Sequence, residues 1–231
     1  MKIIIPTCNR YIRFIEANII ALNQNWPDHP DIYILGYEEP KFKLSENIKF
    51  FQIGTDDSIH KWSIDIKNFL IENYDDDYLI LHLDDFIVTN KVDHEHYTNF
   101  YNKIIKYKFD KGFLGISYGF NEDEYKNFKK FDDFFIFPEN SKYRLSLNTA
   151  IWKRDYIISK LQNEMNPWQF EVQQGGGAND GSKILLSKTP ILIYGDLMHR
   201  GQYQKSNWYD DVIAQGYSVD EQFVNKIESI I

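Results

Sequence analysis

Two adjacent carboxylates, Asp84 and Asp85, follow the apolar run Tyr78, Leu79, Ile80, Leu81 and Leu83. The run reads as a strand buried on both faces, and carboxylates are almost never buried unless they are paired or hold a metal. Hard divalent cations such as Mg²⁺ and Mn²⁺ take carboxylate oxygens and keep positions open for substrate phosphates. An acidic pair at the end of a strand can therefore hold such an ion, with a diphosphate completing its shell. The plainer alternative is a solvated acidic turn, the reading that suits Tyr74-Asp75-Asp76-Asp77. A second candidate is Pro6-Thr7-Cys8-Asn9-Arg10, after the apolar start of the chain. Thr7 and Asn9 can hydrogen-bond a nucleobase or ribose, and Arg10 can grip a phosphate bidentately. The alternative there is a turn whose polar groups cap a helix. His94 and His96 are spaced i, i+2 where a helix begins, so they point apart and are discounted as a metal pair. Neither a G-x-G-x-x-G nor a Walker A motif is present, so a dinucleotide site and a P-loop are not indicated.

The elements that must position these residues alternate. Short apolar runs at Lys2–Ile5, Ile32–Leu35, Ile48–Ile53 and within Tyr78–Val88 predict four strands. Between them, Ile12, Ile15, Ile19 and Leu22 recur at helical spacing, as do Trp62, Ile66, Phe69 and Leu70. Tyr97, Phe100, Tyr101, Ile104 and Ile105 mark a further helix, with Asp93 as its cap. Strand–helix alternation argues for a mostly parallel central sheet with helices on both faces. Ligands of such sheets bind outside the carboxyl ends of the strands, where both candidate segments fall. The second half is less regular. Phe113–Tyr118 predicts a strand, residues 121–133 a polar surface excursion, and Phe134–Phe137 and Arg144–Ile151 a small antiparallel extension. Arg154–Leu161 predicts a helix, residues 166–181 a loop-rich stretch around Gly175-Gly176-Gly177, Ile191–Tyr194 a late strand and Val219–Ile231 a closing helix. No linker or repeat divides the chain, so residues 1–231 are expected to form one α/β domain with a ligand-binding half over about 1–110 and a second half over about 111–231.

Bulk composition narrows the class. The 231 residues carry a net charge of −8 and include no basic block, which argues against nucleic acid as a partner. One cysteine, Cys8, excludes an intrachain disulfide and suits a reducing compartment. No apolar run approaches the ~18 residues of a membrane span, so a cytoplasmic protein, at most peripheral to a membrane, is expected. Aromatic residues reach 16%, which suits a partly wet binding cleft, although coding bias would produce the same enrichment.

Taken in order, these segments resemble the GT-A glycosyltransferases. The resemblance is carried by the P-T-x-N-R end of the first strand, by Asp56-Asp57 after the third, and by Asp84-Asp85 after the fourth. GTDDSIHKWS at 54–63, SLNTAIWKRDYI at 146–157 and NPWQFE at 166–171 extend it, so it spans Ile3 to about Arg200. The acidic pair departs from the family's usual D-x-D, which leaves open which carboxylate would meet metal and which ribose. The resemblance implies a GT-A-like fold, a nucleoside-diphosphate sugar as donor (UDP by default), and Mn²⁺ or Mg²⁺. It implies Thr7, Asn9, Arg10, Asp57 and Trp62 around the nucleotide, Asp84 at ribose or metal, Asp85 at metal and His199 as a further ligand.

Sugar transfer needs a leaving diphosphate stabilised by positive charge, which a metal supplies. Arg200 and Lys205 are further candidates to meet it. An inverting transfer also needs a general base for the acceptor hydroxyl of a glycan or other molecule. Glu171 is the candidate, beside Trp168 as an acceptor-stacking residue, and Asp155 is the reserve. The glycine-rich stretch at 175–180 is a candidate lid, the alternative being a plain connecting loop, and the stretch at 202–208 is another. Two other readings stay open: a carbohydrate-binding or scaffold protein on a degenerate fold of this type, and a sugar nucleotidyltransferase. The latter class usually opens with a glycine-rich loop that Pro6–Arg10 lacks.

Overall fold

The computed structural model describes residues 1–115, 125–173, 179–199, 202–203 and 208–231, with His199 described by its backbone alone. Its centre is a nine-stranded sheet. Strands β1 (Ile3–Pro6), β2 (Ile32–Gly36), β3 (Ile48–Gln52) and β4 (Tyr78–Leu81) form a parallel half in the order β3-β2-β1-β4. These strands read as near-continuous apolar runs because both sheet faces are covered. Alternate side chains go to opposite sides. Ile3, Ile5, Tyr78 and Ile80 pack under helices α1 (Ile15–Asn25) and α3 (His94–Tyr107). Ile4, Leu79 and Leu81 pack under α2 (Trp62–Glu72).

Beyond β4 the sheet changes direction. After β5 (Phe86–Val88) and β6 (Lys111–Phe113), strands β7 (Lys129–Phe131), β8 (Phe134–Ile136) and β9 (Ala150–Lys153) extend the sheet, with β10 (Ile184–Leu186) arriving later. β9 lies antiparallel between β4 and β6, and β10 is parallel to β6 and antiparallel to β8, which closes on β7. Helices α4 (Arg154–Lys160) and α5 (Pro167–Val172) join the α2 face, through Tyr156, Ile157 and Phe170. A separate two-stranded ladder pairs β5 with β11 (Tyr194–Asp196), and β12 (Met198–His199) pairs with β13 (Gln202–Tyr203). The closing helices α6 (Asp210–Ala214) and α7 (Glu221–Glu228) complete a third apolar cluster, in which Trp208, Phe223 and Ile227 meet Phe14, Ala17 and Ile87.

Several sequence expectations are corrected. The run Arg144–Ile151 is not one strand: β9 starts only at Ala150, because Arg144 and Ser146 turn their carbonyls inward to the buried Lys111 Nζ at 3.0 and 2.6 Å. The late strand begins at Tyr194, not Ile191, whose N–H donates instead to Leu114. Residues 166–172 contain a capped helix rather than loop. The Asn166 side chain accepts from Gln169 N–H at 2.8 Å, the Gln169 side chain accepts from Asn166 N–H at 2.9 Å, and Pro167 occupies the first helical position. Strand β6 ends at Phe113, and residues 116–118 of the expected strand lie outside the described residues, as does the run 175–177.

Candidate functional site

Strands β1 and β4 are parallel neighbours, so their carboxyl ends open on one edge. After β1 the chain turns sharply: Tyr11 and Ile12 both donate backbone N–H to Cys8 O at 2.9 Å. After β4, residues His82 to Asp85 form a four-residue turn before β5, with Phe86 N–H donating to Leu83 O at 3.3 Å. Thr7 reaches across and hydrogen-bonds the Asp84 carboxyl. Asp84 is buried and Asp85 half-buried. Burial pushes both carboxyls well above the usual carboxylate range, and the charge of Asp84 raises Asp85 further. The Thr7 hydroxyl and the local backbone N–H groups offset this only in part. Burial and the Asp84 charge also raise the Cys8 thiol, and burial raises the Tyr11 phenol, with both carboxylates close by.

The turn itself is held from below. Asn18, buried on α1, donates its amide N–H groups to Leu83 O at 3.0 Å and Phe86 O at 2.8 Å. His82, also buried, contacts Phe86 O through Nε2 at 3.2 Å and Thr149 Oγ1 through Nδ1 at 2.8 Å. Burial lowers the His82 pKa to about 4, so the ring is neutral near neutral pH. The Asp85 carbonyl accepts from Leu197 N–H at 2.8 Å. That bond continues the β5–β11 ladder and brings the backbone of His199, two residues on, to the same edge.

Next to the acidic turn, Asn9 N–H donates to Asp56 Oδ2 at 2.9 Å and the Asn9 amide donates to Glu38 Oε1 at 2.9 Å. Glu38 and Asp56 thus join the loop that carries Thr7, Asn9 and Arg10. Asp57 sits one residue further out, exposed, accepting from Lys61 at 2.7 Å and Thr55 at 3.0 Å. The Lys61 ammonium holds that carboxyl below its ordinary value. Trp62 is half-buried at the start of α2, its ring 5.7 Å from Phe170 and edge-on. His96 contacts Ser187 Oγ at 3.0 Å, just past the carboxyl end of β10, three strands along the sheet from β4.

The second half reaches the edge through β9. Leu81 pairs with Ala150 and Tyr78 with Lys153, so β9 runs away from Asp84–Asp85, and Thr149, just before it, meets His82 in their turn. Glu171, on α5, accepts from Leu147 N–H at 2.6 Å and from the Ser146 hydroxyl at 3.3 Å. Trp168, one turn before it, is 56% exposed. Asp155 follows the far end of β9, where Arg154 N–H donates to Asp77 O, and so stands at the opposite edge. Arg200 and Lys205 lie outside the described residues. The structure therefore brings together Thr7, Asn9, Arg10, Asp84 and Asp85, with the His199 backbone, and hangs Glu171 from the adjoining strand start. Reading the sequence missed Asn18, His82, Thr149, Glu38 and the wholly buried Lys111.

The donor chemistry of Asp84 and Asp85 fits a hard divalent cation: adjacent carboxylate oxygens, one residue buried and one half-buried, both carboxyls raised by burial. No group of three or more metal-ligating side chains stands together among the described residues, so the pair alone would leave most of the coordination shell to substrate or solvent. No helix among the described residues is long and apolar enough to cross a membrane.

No protein-family model and no curated protein matches the chain. Solved structures do. The chain is similar to S. aureus TarS, at 15% identity and a TM-score of 0.50, over 98% of this chain and 41% of that one. It is also similar to GalNAc-T7 determined with UDP, GalNAc and Mn²⁺, at 12% identity and a TM-score of 0.55, over 90% of this chain and 45% of that one. The fold that the chain shares with these structures is the GT-A fold. The chain spans less than half the length of either.

Proposed function

We propose that the chain is a metal-dependent glycosyltransferase that moves a sugar from a nucleoside-diphosphate sugar to an acceptor hydroxyl. One observation carries the proposal: two adjacent carboxylates, Asp84 buried and Asp85 half-buried, stand at the carboxyl end of β4, where burial raises both and the charge of Asp84 raises Asp85 further. The similarity to a GT-A protein determined with UDP, GalNAc and Mn²⁺ supports the same reading of that edge. Asp84 and Asp85 would hold Mn²⁺ or Mg²⁺, with His199 as a further ligand. The bound ion would supply positive charge where the diphosphate leaves.

The chain's own groups do the rest. Thr7, Asn9 and Arg10 bind the nucleoside and its phosphates, with Asp57 and Trp62 at the outer rim and Arg200 toward the diphosphate. Asn9 meets Glu38 and Asp56, so these two carboxylates shape the nucleoside side. Trp168 offers an exposed ring on which an acceptor can stack. Glu171 takes the acceptor hydroxyl proton as the acceptor oxygen bonds the anomeric carbon. The bond from that carbon to the diphosphate oxygen breaks, and its electron pair leaves with the diphosphate. Attack by an external hydroxyl on the face opposite the leaving group inverts the anomeric centre. The bond from Leu147 N–H holds Glu171 in one orientation for this proton transfer.

A binding screen tests the proposal. UDP, GDP, TDP and CMP, and their sugars, are titrated with and without Mn²⁺ into wild type and Asp85→Ala. Binding that needs both a nucleotide and Mn²⁺, and is lost in the variant, is the expected result. Metal-independent glycan binding that Asp85→Ala leaves intact would instead identify a carbohydrate-binding protein. Pyrophosphate release from a nucleoside triphosphate and a sugar phosphate would identify a nucleotidyltransferase.

A further inference from the structure

The turn that carries Asp84 and Asp85 is braced by polar side chains that never reach solvent. Asn18 and Thr149 are fully buried and His82 is 1% exposed. Burying polar groups is unfavourable unless each finds a partner. Here the donors of Asn18 and His82 converge on the carbonyls at the two ends of one turn, while Asn18 Oδ1 has no partner among the described residues. Asn18 donates to Leu83 O and Phe86 O, the two carbonyls that bracket the acidic pair. His82 Nε2 meets the same Phe86 O. A carbonyl oxygen only accepts, so Nε2 must carry the proton. In the neutral ring Nδ1 is then an acceptor, and the Thr149 hydroxyl must donate to it. Thr149 in turn is locked at the start of β9: its carbonyl accepts from Leu114 N–H at 2.9 Å and Gly115 N–H at 3.2 Å.

We propose that Asn18, His82 and Thr149 are positioning residues: they fix the Asp84–Asp85 turn in its cation-binding shape before any ligand arrives. The proposal rests on the donor-site reading above. Its physical basis is direction. Each donor in the chain Thr149 → His82 → Phe86 O has one possible orientation, so the ring cannot rotate or swap its proton without leaving a buried group unpaired. The carbonyls on both sides of the carboxylates are thereby held, and the carboxylates cannot relax apart to relieve their repulsion. Thr149 lies two residues from Leu147, whose N–H holds Glu171. The same brace thus sets the distance between the acidic turn and the strand start that carries the candidate base.

The test uses Thr149→Val, which keeps the shape and removes the hydroxyl, and Thr149→Ser, which keeps the hydroxyl. Mn²⁺ binding is read by electron paramagnetic resonance with UDP, GDP or TDP, whichever binds tightest to wild type. Groups that orient metal-binding side chains from behind contribute roughly 10- to 100-fold in metal affinity. Thr149→Val is expected to weaken Mn²⁺ binding about tenfold, and Thr149→Ser to stay within about twofold of wild type. Equal losses in both variants, or none in Thr149→Val, overturn the proposal. Asp85→Ala separates the two readings: if it binds Mn²⁺ and nucleotide as wild type does, the donor-site reading falls, whatever Thr149 does. Should Thr149→Val fail to fold, the wild type still decides. In ¹⁵N spectra of ligand-free protein the His82 ring must show its proton fixed on Nε2. A proton on Nδ1, or exchange between tautomers, overturns the brace.

Discussion

Asp85→Asn should make the ligand-free protein more stable and deaf to ligand. In wild type, burial and the neighbouring Asp84 charge both raise the Asp85 carboxyl, so the ionised form is held at a cost. One unit of such a shift corresponds to about 1.4 kcal/mol. Asp85 is only half-buried, so solvent screening discounts the full shift, and about 2 kcal/mol is a reasonable order for what the neutral, isosteric amide recovers. For a chain of this size that is roughly 4–8 °C in melting temperature. The sign depends on pH. A carboxyl whose folded pKa is raised contributes stability below its unfolded value of about 3.9 and loses it as pH rises through the folded value. Wild type and variant should therefore melt together near pH 4 and separate steadily toward neutral and mildly alkaline pH, with Asp85→Asn the more stable. Mn²⁺ with nucleotide at about 100 times its dissociation constant adds about 2.7 kcal/mol to wild type and nothing to the variant, so the order closes or reverses. Thermal unfolding followed by near-ultraviolet circular dichroism across that pH range, with and without ligand, measures all of this. A variant that is less stable than wild type at about pH 8 without ligand would refute the reasoning, because it would mean that the pair is already compensated.

Glu171→Gln should retain the bond from Leu147 N–H, since an amide oxygen also accepts, and so keep fold and donor affinity. Its turnover should fall by roughly 10²–10⁴, the usual contribution of a general base, in a steady-state transfer assay. Trp168→Ala should leave stability within about 0.5 kcal/mol, as its exposure requires, while raising the KM for acceptor and leaving that for donor unchanged. Lys111 is wholly buried and its pKa is held well below the ordinary lysine value by burial. Between that depressed value and about 10.4 the unfolded chain binds more protons, so wild type should gain stability relative to Lys111→Met as pH rises. Paired urea titrations at about pH 7 and about pH 9.5 check it, and a constant difference between the two proteins refutes it.

The parallel half of the fold was legible because its strands are short apolar runs separated by helical periodicity, and both patterns are local. The acidic pair was legible for the same reason: it interrupts one of those runs. Helix α5 was also written locally, as Asn166, Pro167 and Gln169 at cap, first and third positions, but a six-residue helix is too short to show periodicity and the glycines beyond it suggested loop. The brace was not legible at all. Asn18 finds its acceptors 65 and 68 positions along the chain, and Lys111 its own at 33 and 35. Hydropathy assigns both residues to the surface. Only the sheet order, which pairs segments distant in sequence, reveals that each is buried with partners. His82 lies in the opening run itself, yet its role depends on Thr149, which antiparallel pairing places opposite it.

That pairing explains why the site can be built from so little chain. β1 and β4 are parallel, so each delivers its carboxyl end, with Thr7 to Arg10 and Asp84-Asp85, to one edge. β9 is antiparallel to β4, so it delivers its amino end to that same edge, with Thr149 against His82 and, two residues earlier in the chain, the Leu147 N–H that holds Glu171. A parallel β9 would have placed Lys153 to Asp155 there and sent Leu147 to the far side. The reversal of direction between β4 and β9 thus decides which acidic residue of the second half can meet a substrate held by the first. It leaves Asp155 at the edge opposite the acidic turn, which supports our proposal of Glu171 as the base. The decision is testable in one comparison: Asp155→Asn should transfer sugar at the wild-type rate, whereas Glu171→Gln should not. Equal loss in both would mean that the acceptor approaches from an edge this sheet order does not present.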